Sequence, residues 1–191
     1  MKRSLLFLVL MIGPVLFSMA QRVENFALKD ANSGSTVSLD QLNDKRGTVL
    51  IFTSNTCPFS KLYEDRIKDI ASRFSNDFSF ALINPHAGSI EETENEMKGR
   101  SFRFPYLMDG EQKVTRMLQA SKLPEVFVIT SGPTGQSVVY QGAIDNNPQA
   151  PGSVSQRYLE NALTQIQRRS SPSPSQTRAV GCNIRSRSAR N

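Results

Sequence analysis

Two apolar runs separated by an amphipathic segment constrain the fold of this chain more than any other feature. The runs TVLIFTS (48–54) and FSFALIN (78–84) are rich in β-branched and aromatic residues, which is typical of strands buried on both faces of a sheet. Between them, apolar residues recur at the spacing of one helix face: Tyr63, Ile67, Ile70 and Phe74. Strands that alternate with helices in this order predict an α/β fold with a mainly parallel centre.

The segments on either side extend the same pattern. Residues 23–42 alternate apolar and polar side chains around Asn32–Gly34, which predicts two short paired strands. EVFVIT (125–130) and SVVYQGAI (137–144) predict a hairpin, and a last helix is expected from about Val154 to Gln167. We therefore predict a central mixed sheet flanked by helices, with an N-terminal β extension.

The stretch between the second apolar run and the hairpin is less regular. Ser89 and Glu92 have the spacing of a capping box, which predicts a short helix from there through about Lys98. PYLMD (105–109) predicts a short extended piece, and Val114 and Leu118 lie on one face of a further helix. One short strand between two short helices is thus expected here.

Residues 1–20 have the pattern of a secretory signal peptide. A basic start at Lys2 and Arg3 precedes an apolar stretch (4–17), and small residues at Ser18 and Ala20 precede the expected cut, as such peptides require. The alternative is an uncleaved anchor helix, which needs about 20 apolar residues where this stretch has about fourteen. We therefore expect cleavage, a periplasmic or secreted protein, and no membrane span in the mature chain.

The mature chain is expected to form one domain with a tail. Loss of residues 1–20 would leave 171 of the 191 residues, enough for one hydrophobic core. We assign residues 21–168 to the domain and residues 169–191, rich in Ser, Pro and Arg, to a flexible tail. The net charge of +6 comes from Lys2, Arg3 and the arginines of the tail. Because no basic face of the domain is indicated, nucleic-acid binding is not expected.

Cys57 stands where the first apolar run gives way to the helix. Pro58 suits the first helical position because its φ is already helical. Unpaired N–H groups and the helix dipole at that position favour a thiolate and lower the pKa of the thiol, and the hydroxyls of Thr56 and Ser60 can add hydrogen bonds. The alternative is a buried structural cysteine. The small hydroxyl residues around the sulfur in NTCPFS favour the reactive interpretation.

The turn TCPFS (56–60) resembles the thioredoxin-type active-site turn, with Ser60 where the second cysteine of C-x-x-C would stand. Together with FPYLMD and TRAVGCNI, it makes residues 23–184 similar to the peroxiredoxin-like (alkyl hydroperoxide reductase/thiol-specific antioxidant, redoxin) branch of the thioredoxin superfamily. The resemblance implies a thioredoxin-like fold, a nucleophilic Cys57 and a cis-proline at Pro124 that faces the sulfur. It implies no organic cofactor and no metal.

The chain departs from the peroxiredoxin pattern in two places. Peroxiredoxins carry P-x-x-x-T-x-x-C, whereas Leu50 stands for the proline here and Ser54 for the threonine. They also bind peroxide with a distant arginine, and Leu123-Pro124-Glu125 stands where it would be sought. These departures favour disulfide exchange over peroxide reduction.

Cys182 lies in AVGCNIR, beyond the Ser/Pro-rich stretch of the tail. A flexible chain from Arg169 to Cys182 spans roughly 20 Å, so this thiol can reach much of the domain. Three interpretations remain open. Cys182 can resolve an oxidised Cys57 by closing a disulfide with it, form a static bridge, or stay a free or intermolecular thiol.

We therefore predict an exported thiol–disulfide oxidoreductase with Cys57 as nucleophile and Cys182 as a possible resolving cysteine. Its expected partners are an external thiol reductant and a substrate that is a protein disulfide or a peroxide. The alternatives are a thiol peroxidase and a redox-inactive thioredoxin-fold binding module with a structural disulfide. The sequence leaves the oligomeric state open.

Overall fold

The structure of the protein is a computed structural model that describes residues 21–90, 92–100 and 102–186. The predicted signal peptide (1–20) lies outside the described residues, as do residues 187–191 of the tail. The strands within them are β1 (Ala27–Asp30), β2 (Thr36–Ser38), β3 (Gly47–Phe52), β4 (Phe78–Asn84), β5 (Tyr106–Met108), β6 (Lys122–Leu123), β7 (Glu125–Gly132), β8 (Gly135–Gly142) and β9 (Cys182–Asn183). The helices are α1 (Leu39–Leu42), α2 (Pro58–Phe74), α3 (Glu94–Lys98), α4 (Lys113–Leu118) and α5 (Tyr158–Gln167), with a 3₁₀ turn at Pro151–Ser153.

Seven of the strands in the described ranges form one mixed sheet, in the order β2-β1-β5-β4-β3-β7-β8. At its centre, β4 pairs in parallel with both β3 and β5, whereas β7 runs antiparallel to β3 and β8. The β1–β2 hairpin joins the sheet at the edge of β5. The predicted mixed sheet with an N-terminal β extension is confirmed.

Alternation along β3 divides the core between the two faces of the sheet. Val49 and Ile51 contribute to the cluster that packs against α2 and α5, whereas Leu50 and Phe52 contribute to the cluster that packs against α1 and α4. All four side chains are fully buried, as expected for a central strand. The end of β3 leads through a short loop into α2, which places Cys57 at the margin of the core.

The helix predicted from Ser89 begins later than expected. α3 follows Thr93, whose hydroxyl accepts a hydrogen bond from the Glu96 N–H while the Glu96 carboxylate accepts one from the Thr93 N–H. The start signal assigned to Ser89 and Glu92 was therefore wrong. The Glu92 side chain is 1% exposed and accepts hydrogen bonds from inside the protein instead of capping a helix.

The last helix also begins later than the sequence predicted. The backbone N–H groups of Ser155 and Gln156 donate to the side-chain oxygen of Asn146. These bonds give the stretch an alternative to helical hydrogen bonding. α5 consequently begins at Tyr158 instead of about Val154.

Residues 170–186 of the tail lie against the domain, and the predicted flexibility of the tail stays a prediction. The tail runs beside β8, where the backbone of Gln141 donates to Ser175 and accepts from Thr177. The Thr177 hydroxyl oxygen also accepts a hydrogen bond from the Ala143 N–H, at 2.9 Å. The sheet edge thus supplies partners for backbone groups that the Ser/Pro-rich sequence cannot pair within itself.

Gly142 permits the closest approach between this tail and the sheet. Its φ is +136°, and a Cβ placed on it would lie 2.2 Å from the carbonyl oxygen of Thr177. Any other residue there would meet both an unfavourable backbone conformation and a collision with the tail.

We expect Gly142→Ala to lower the free energy of unfolding by about 1–3 kcal/mol and to loosen the tail. Urea unfolding and the rate of tryptic cleavage after Arg178 would measure the two effects. Gly135→Ala is the matched control, because Gly135 has a φ of +104° but open space around its Cβ position. Equal cleavage rates in the two variants would contradict the contact between Gly142 and the tail.

Candidate active site

Cys57 occupies the N-cap position of α2. Its backbone is extended, with φ −83° and ψ 117°, and Pro58 is the first residue of the helix. The Cys57 side chain makes no capping hydrogen bond, so the N–H groups of the first turn keep their partial positive charge at this end of the helix. Cys57 therefore lies at a helix N-terminus, as the sequence predicted.

Cys57 and Cys182 form a disulfide bond that joins positions 125 residues apart in the sequence, with their Cα atoms 6.1 Å apart. In this state Cys57 is 3% exposed. Its Sγ lies 3.3 Å from the carbonyl oxygen of Leu123, which can accept a hydrogen bond once the sulfur carries a proton. The pairing agrees with a resolving cysteine or a static bridge and not with a free Cys182.

The tail reaches Cys57 as a short strand. β9 pairs antiparallel with β6, so that Cys182 lies opposite Leu123 and Asn183 opposite Lys122. The peptide bond that follows, Leu123–Pro124, is cis, and Pro124 is buried. The cis-proline expected from the resemblance is thus present, and it follows directly on the strand that holds the tail.

Gly181 allows this pairing. A Cβ placed on Gly181 would lie 2.0 Å from the carbonyl oxygen of Leu123 and 3.2 Å from the nitrogen of Pro124. Only a residue without a side chain lets the backbone before Cys182 approach so closely. This role was not predictable from the sequence, because the contact depends on which strand the tail meets.

Several residues of the domain hold the tail beyond Cys182, and Lys122 does so through a side-chain bond to Asn183. Ser121 accepts a hydrogen bond from the Ile184 N–H through its carbonyl oxygen, at 3.0 Å. The His86 Nε2 accepts from the Arg185 N–H at 3.3 Å, and the Gln112 side-chain amide donates to the Arg185 carbonyl oxygen at 2.8 Å. The single histidine of the chain thus contacts the tail, which its sequence position did not indicate.

A buried carboxylate holds the loop before Cys57. The Glu92 Oε1 accepts hydrogen bonds from the N–H and the hydroxyl of Thr56, at 3.0 and 3.1 Å, and from the hydroxyl of Ser54. Ser60 is buried, and its hydroxyl oxygen accepts from the Ser54 N–H at 3.4 Å. The hydroxyls of Thr56 and Ser60 were expected to bond the Cys57 sulfur, but the first donates to Glu92 and the second accepts from the Ser54 N–H. A carboxylate is the stronger acceptor for the first of them.

Glu125 holds the other side of the site. Its carboxylate accepts hydrogen bonds from the N–H groups of Ser121 and Lys122, at 2.7 and 3.0 Å. Glu125 is 5% exposed, and these bonds fix the segment that forms β6. Sequence reasoning noted this residue only as a departure from the peroxiredoxin pattern.

The chemical groups of the site are two sulfurs, the amides at the start of α2 and these two carboxylates. Across the described ranges, no cluster of three or more His, Cys, Asp or Glu side chains could hold a metal ion. No helix in the same part of the chain is both long and apolar enough to cross a membrane.

Three solved structures are similar to this chain along most of its length. An uncharacterized conserved protein from Geobacillus kaustophilus has 24% identity and a TM-score of 0.80, over 92% of this chain and 96% of that one. A hypothetical protein from Sinorhizobium meliloti has 25% identity and a TM-score of 0.76, over 88% and 94%. The peroxidoxin BcpB from Mycobacterium tuberculosis has 18% identity and a TM-score of 0.56, over 78% and 96%. The thioredoxin-like fold is thereby confirmed.

The sequence profile of the AhpC/TSA family matches residues 19–134, which is more than half of the chain. The match includes Cys57 and Pro124 and ends before the tail that carries Cys182. Comparison with curated proteins gives no match. On the extent of the profile match and on its fold, the chain belongs to the AhpC/TSA family, in the thioredoxin-like redoxin group.

Proposed function

We propose that the protein is an exported thiol–disulfide oxidoreductase in which Cys57 is the nucleophile and Cys182 the resolving cysteine. The observation that carries the proposal is the Cys57–Cys182 disulfide at the N-terminus of α2. A helix N-terminus stabilises a thiolate and so favours Cys57 as the attacking sulfur. Membership of a redox family supports a reactive disulfide over a purely structural one.

The exchange proceeds in two steps with the reduced protein. The Cys57 thiolate attacks one sulfur of a substrate disulfide, which forms a mixed disulfide and releases the other substrate sulfur as a thiolate. The Cys182 thiolate then attacks the Cys57 sulfur, which closes the Cys57–Cys182 bond and releases the second substrate sulfur. Two electrons pass from the protein dithiol to the substrate, and an external thiol reductant must restore the dithiol.

For the first step, the part of the tail that carries Cys182 must separate from β6 so that a substrate can reach Cys57. In the disulfide form Cys57 is 3% exposed, and the strand pairing of Cys182 with Leu123 covers one side of it. After reduction, only non-covalent contacts hold this part of the tail, and each hydrogen bond contributes about 0.5–1.5 kcal/mol net. Release of the tail would therefore expose Cys57 without disturbing the main sheet.

Pro124, Thr56 and Ser60 support this site without taking part in the exchange. Pro124 follows the strand on which the tail docks, and a protein substrate that replaces the tail would meet the same surface. Thr56 and Ser60 fix the loop that carries Cys57. We place this activity in a domain of residues 21–168, with residues 169–191 as its tail.

Peroxide reduction is the second candidate, and membership of the AhpC/TSA family favours it. The Cys57 thiolate would attack one peroxide oxygen, which yields a sulfenic acid and an alcohol or water. Cys182 would then condense with the sulfenic acid and release water. Two residues argue against efficient peroxide reduction. Leu50, fully buried in β3, stands where peroxiredoxins have a proline, and Glu125 presents a carboxylate near the site where they use an arginine.

The export proposed here rests on the pattern of residues 1–20. Disulfides persist in oxidising compartments outside the cytosol, which suits a protein that rests with Cys57 bonded to Cys182. The physiological reductant would then be a thiol donor available in that compartment.

We expect Gly181→Ala to weaken the disulfide by disturbing the strand that carries Cys182. The added Cβ would meet the Leu123 carbonyl oxygen at 2.0 Å, a collision that costs about 1–3 kcal/mol in a packed site. The equilibrium constant for oxidation should fall roughly five- to 150-fold. Titration with dithiothreitol, read by thiol alkylation, would measure it. Gly152→Ala, where a Cβ meets open space, should leave the constant unchanged. An unchanged constant in Gly181→Ala would contradict the docking role of β9.

We expect Cys57→Ser to abolish the acceleration of insulin reduction above the rate with dithiothreitol alone, because no attacking sulfur remains at the helix start. Cys182→Ser should instead accumulate a mixed disulfide between Cys57 and the substrate, visible by mass spectrometry, because the resolving thiol is absent. Turnover assays with dithiothreitol as reductant would compare both variants with the parent protein.

The same variants separate the two candidate reactions. A bimolecular rate with hydrogen peroxide that exceeds the rate with the protein disulfide, and that Cys57→Ser removes, would favour the peroxidase. A rate of insulin reduction with Cys57→Ser equal to that with the parent protein would refute the proposed nucleophile. Loss of melting temperature without any loss of turnover in Cys182→Ser would assign Cys182 a structural role.

A further inference from the structure

Glu92 brings an acidic side chain into the interior directly behind the loop of Cys57. It is 1% exposed. Its Oε1 accepts from the N–H and hydroxyl of Thr56 and from the hydroxyl of Ser54, and its Oε2 accepts from the Asn84 side-chain amide at 2.9 Å. All four contacts come from donors, which matches the requirements of an ionised carboxylate.

A second set of contacts continues from Glu92 to the remaining residue of the loop. The Asn84 amide also donates to the hydroxyl of Tyr106 at 3.1 Å, and that hydroxyl donates to the side-chain oxygen of Asn55 at 3.0 Å. Burial, and after it the charge of Glu92, raise the pKa of Tyr106 above its ordinary value. Tyr106 therefore stays protonated and keeps donating to Asn55. The three residues that precede Cys57 are thus all held by one buried network.

Among the ion pairs of the described residues, none joins a cation to the Glu92 carboxylate. Arg100, whose charge also acts on Tyr106, is paired with Glu64. Lys61, on the first turn of α2, is exposed to solvent, where water screens its charge. Glu125, whose carboxylate is bound by the N–H groups of Ser121 and Lys122, is the second buried acid of the site and is unchanged in every variant below. Within the described residues, the charge of Glu92 is therefore compensated by neutral donors and not by a paired cation.

We infer that Glu92 is the positioning residue for Cys57 and sets how readily its thiol ionises. Its hydrogen bonds fix the Ser54–Thr56 loop and hence the place of the sulfur at the start of α2. Its negative charge lies against Thr56, the residue before Cys57. There it disfavours a second negative charge on the Cys57 sulfur and so opposes the effect of the helix N-terminus. Glu92 thereby limits the thiolate fraction of reduced Cys57. The inference rests on the proposed function only in taking Cys57 as the reactive sulfur.

The test is the pH dependence of Cys57 alkylation in the reduced full-length protein. Iodoacetamide would be the probe, and peptide mass spectrometry would separate Cys57 from Cys182. Glu92→Gln keeps an acceptor oxygen for Thr56 and removes the charge, so the midpoint of the alkylation curve should fall by about one pH unit. The rate well below the midpoint should rise about three- to fourfold, because the larger thiolate fraction is partly offset by the lower nucleophilicity of a less basic thiolate.

Two further variants make the result specific. Glu96→Gln removes an exposed carboxylate that only caps α3 and should leave the midpoint unchanged. The double variant Asn84→Asp/Glu92→Gln keeps one charge in the network but moves it away from Thr56, so its midpoint should lie between those of Glu92→Gln and the parent. The double variant also carries the test if Glu92→Gln fails to fold.

Each outcome addresses one claim. A midpoint that does not fall in either folded Glu92 variant, while the parent Cys57 alkylates readily, would overturn the role of Glu92 and leave the proposed function intact. A parent Cys57 that resists alkylation after full reduction would instead refute the proposed nucleophile. An equal fall in Glu96→Gln would show a general charge effect and would also overturn the inference.

Discussion

The antiparallel pairing of Cys182–Asn183 with Lys122–Leu123 is the contact on which the geometry of the candidate site depends. This pairing brings Cys182 next to Cys57, 125 residues away in the sequence, and their sulfurs form the disulfide. A free tail of this length would spread its thiol over a large volume, at an effective concentration of order mM near Cys57. Strand pairing restricts that volume, and Gly181 makes the pairing possible. The strand and the disulfide thus each reduce the conformational entropy lost in forming the other.

Two buried carboxylates frame the disulfide from opposite sides. Glu92 binds the loop before Cys57, and Glu125 binds the segment before Pro124. Both stretches are largely irregular backbone, whose N–H groups need partners when they are withdrawn from water. A carboxylate satisfies two or more such donors at once. These side chains therefore hold parts of the site that lie outside the seven-stranded sheet, in addition to the pairing of β6 with β9.

The sequence predicted those parts of the molecule whose causes are local. The apolar runs around Val49 and Phe80 predicted buried strands, and Pro58 predicted a helix start directly after Cys57. The cis-proline at Pro124 followed from the resemblance to a known family. The predicted capping role of Glu92 was wrong because it was based only on the three-residue spacing from Ser89. The actual partners of Glu92, Ser54 and Thr56, lie 38 and 36 residues away in the sequence.

Composition was equally insufficient for the tail. A Ser/Pro-rich segment cannot form its own core, so its composition predicts flexibility and does not indicate where the segment docks. Its position in the structure depends on the open edge of β8 and on Leu123, neither of which its own residues encode. The same segment covers Cys57 and carries the second sulfur. Under the proposed function, this one bond would couple the oxidation state of the protein to access, because reduction would leave the tail held only by non-covalent contacts that oppose the entropy of release. A cysteine on a rigid strand of the sheet could form the same bond, but it could not move aside as the proposed reaction requires.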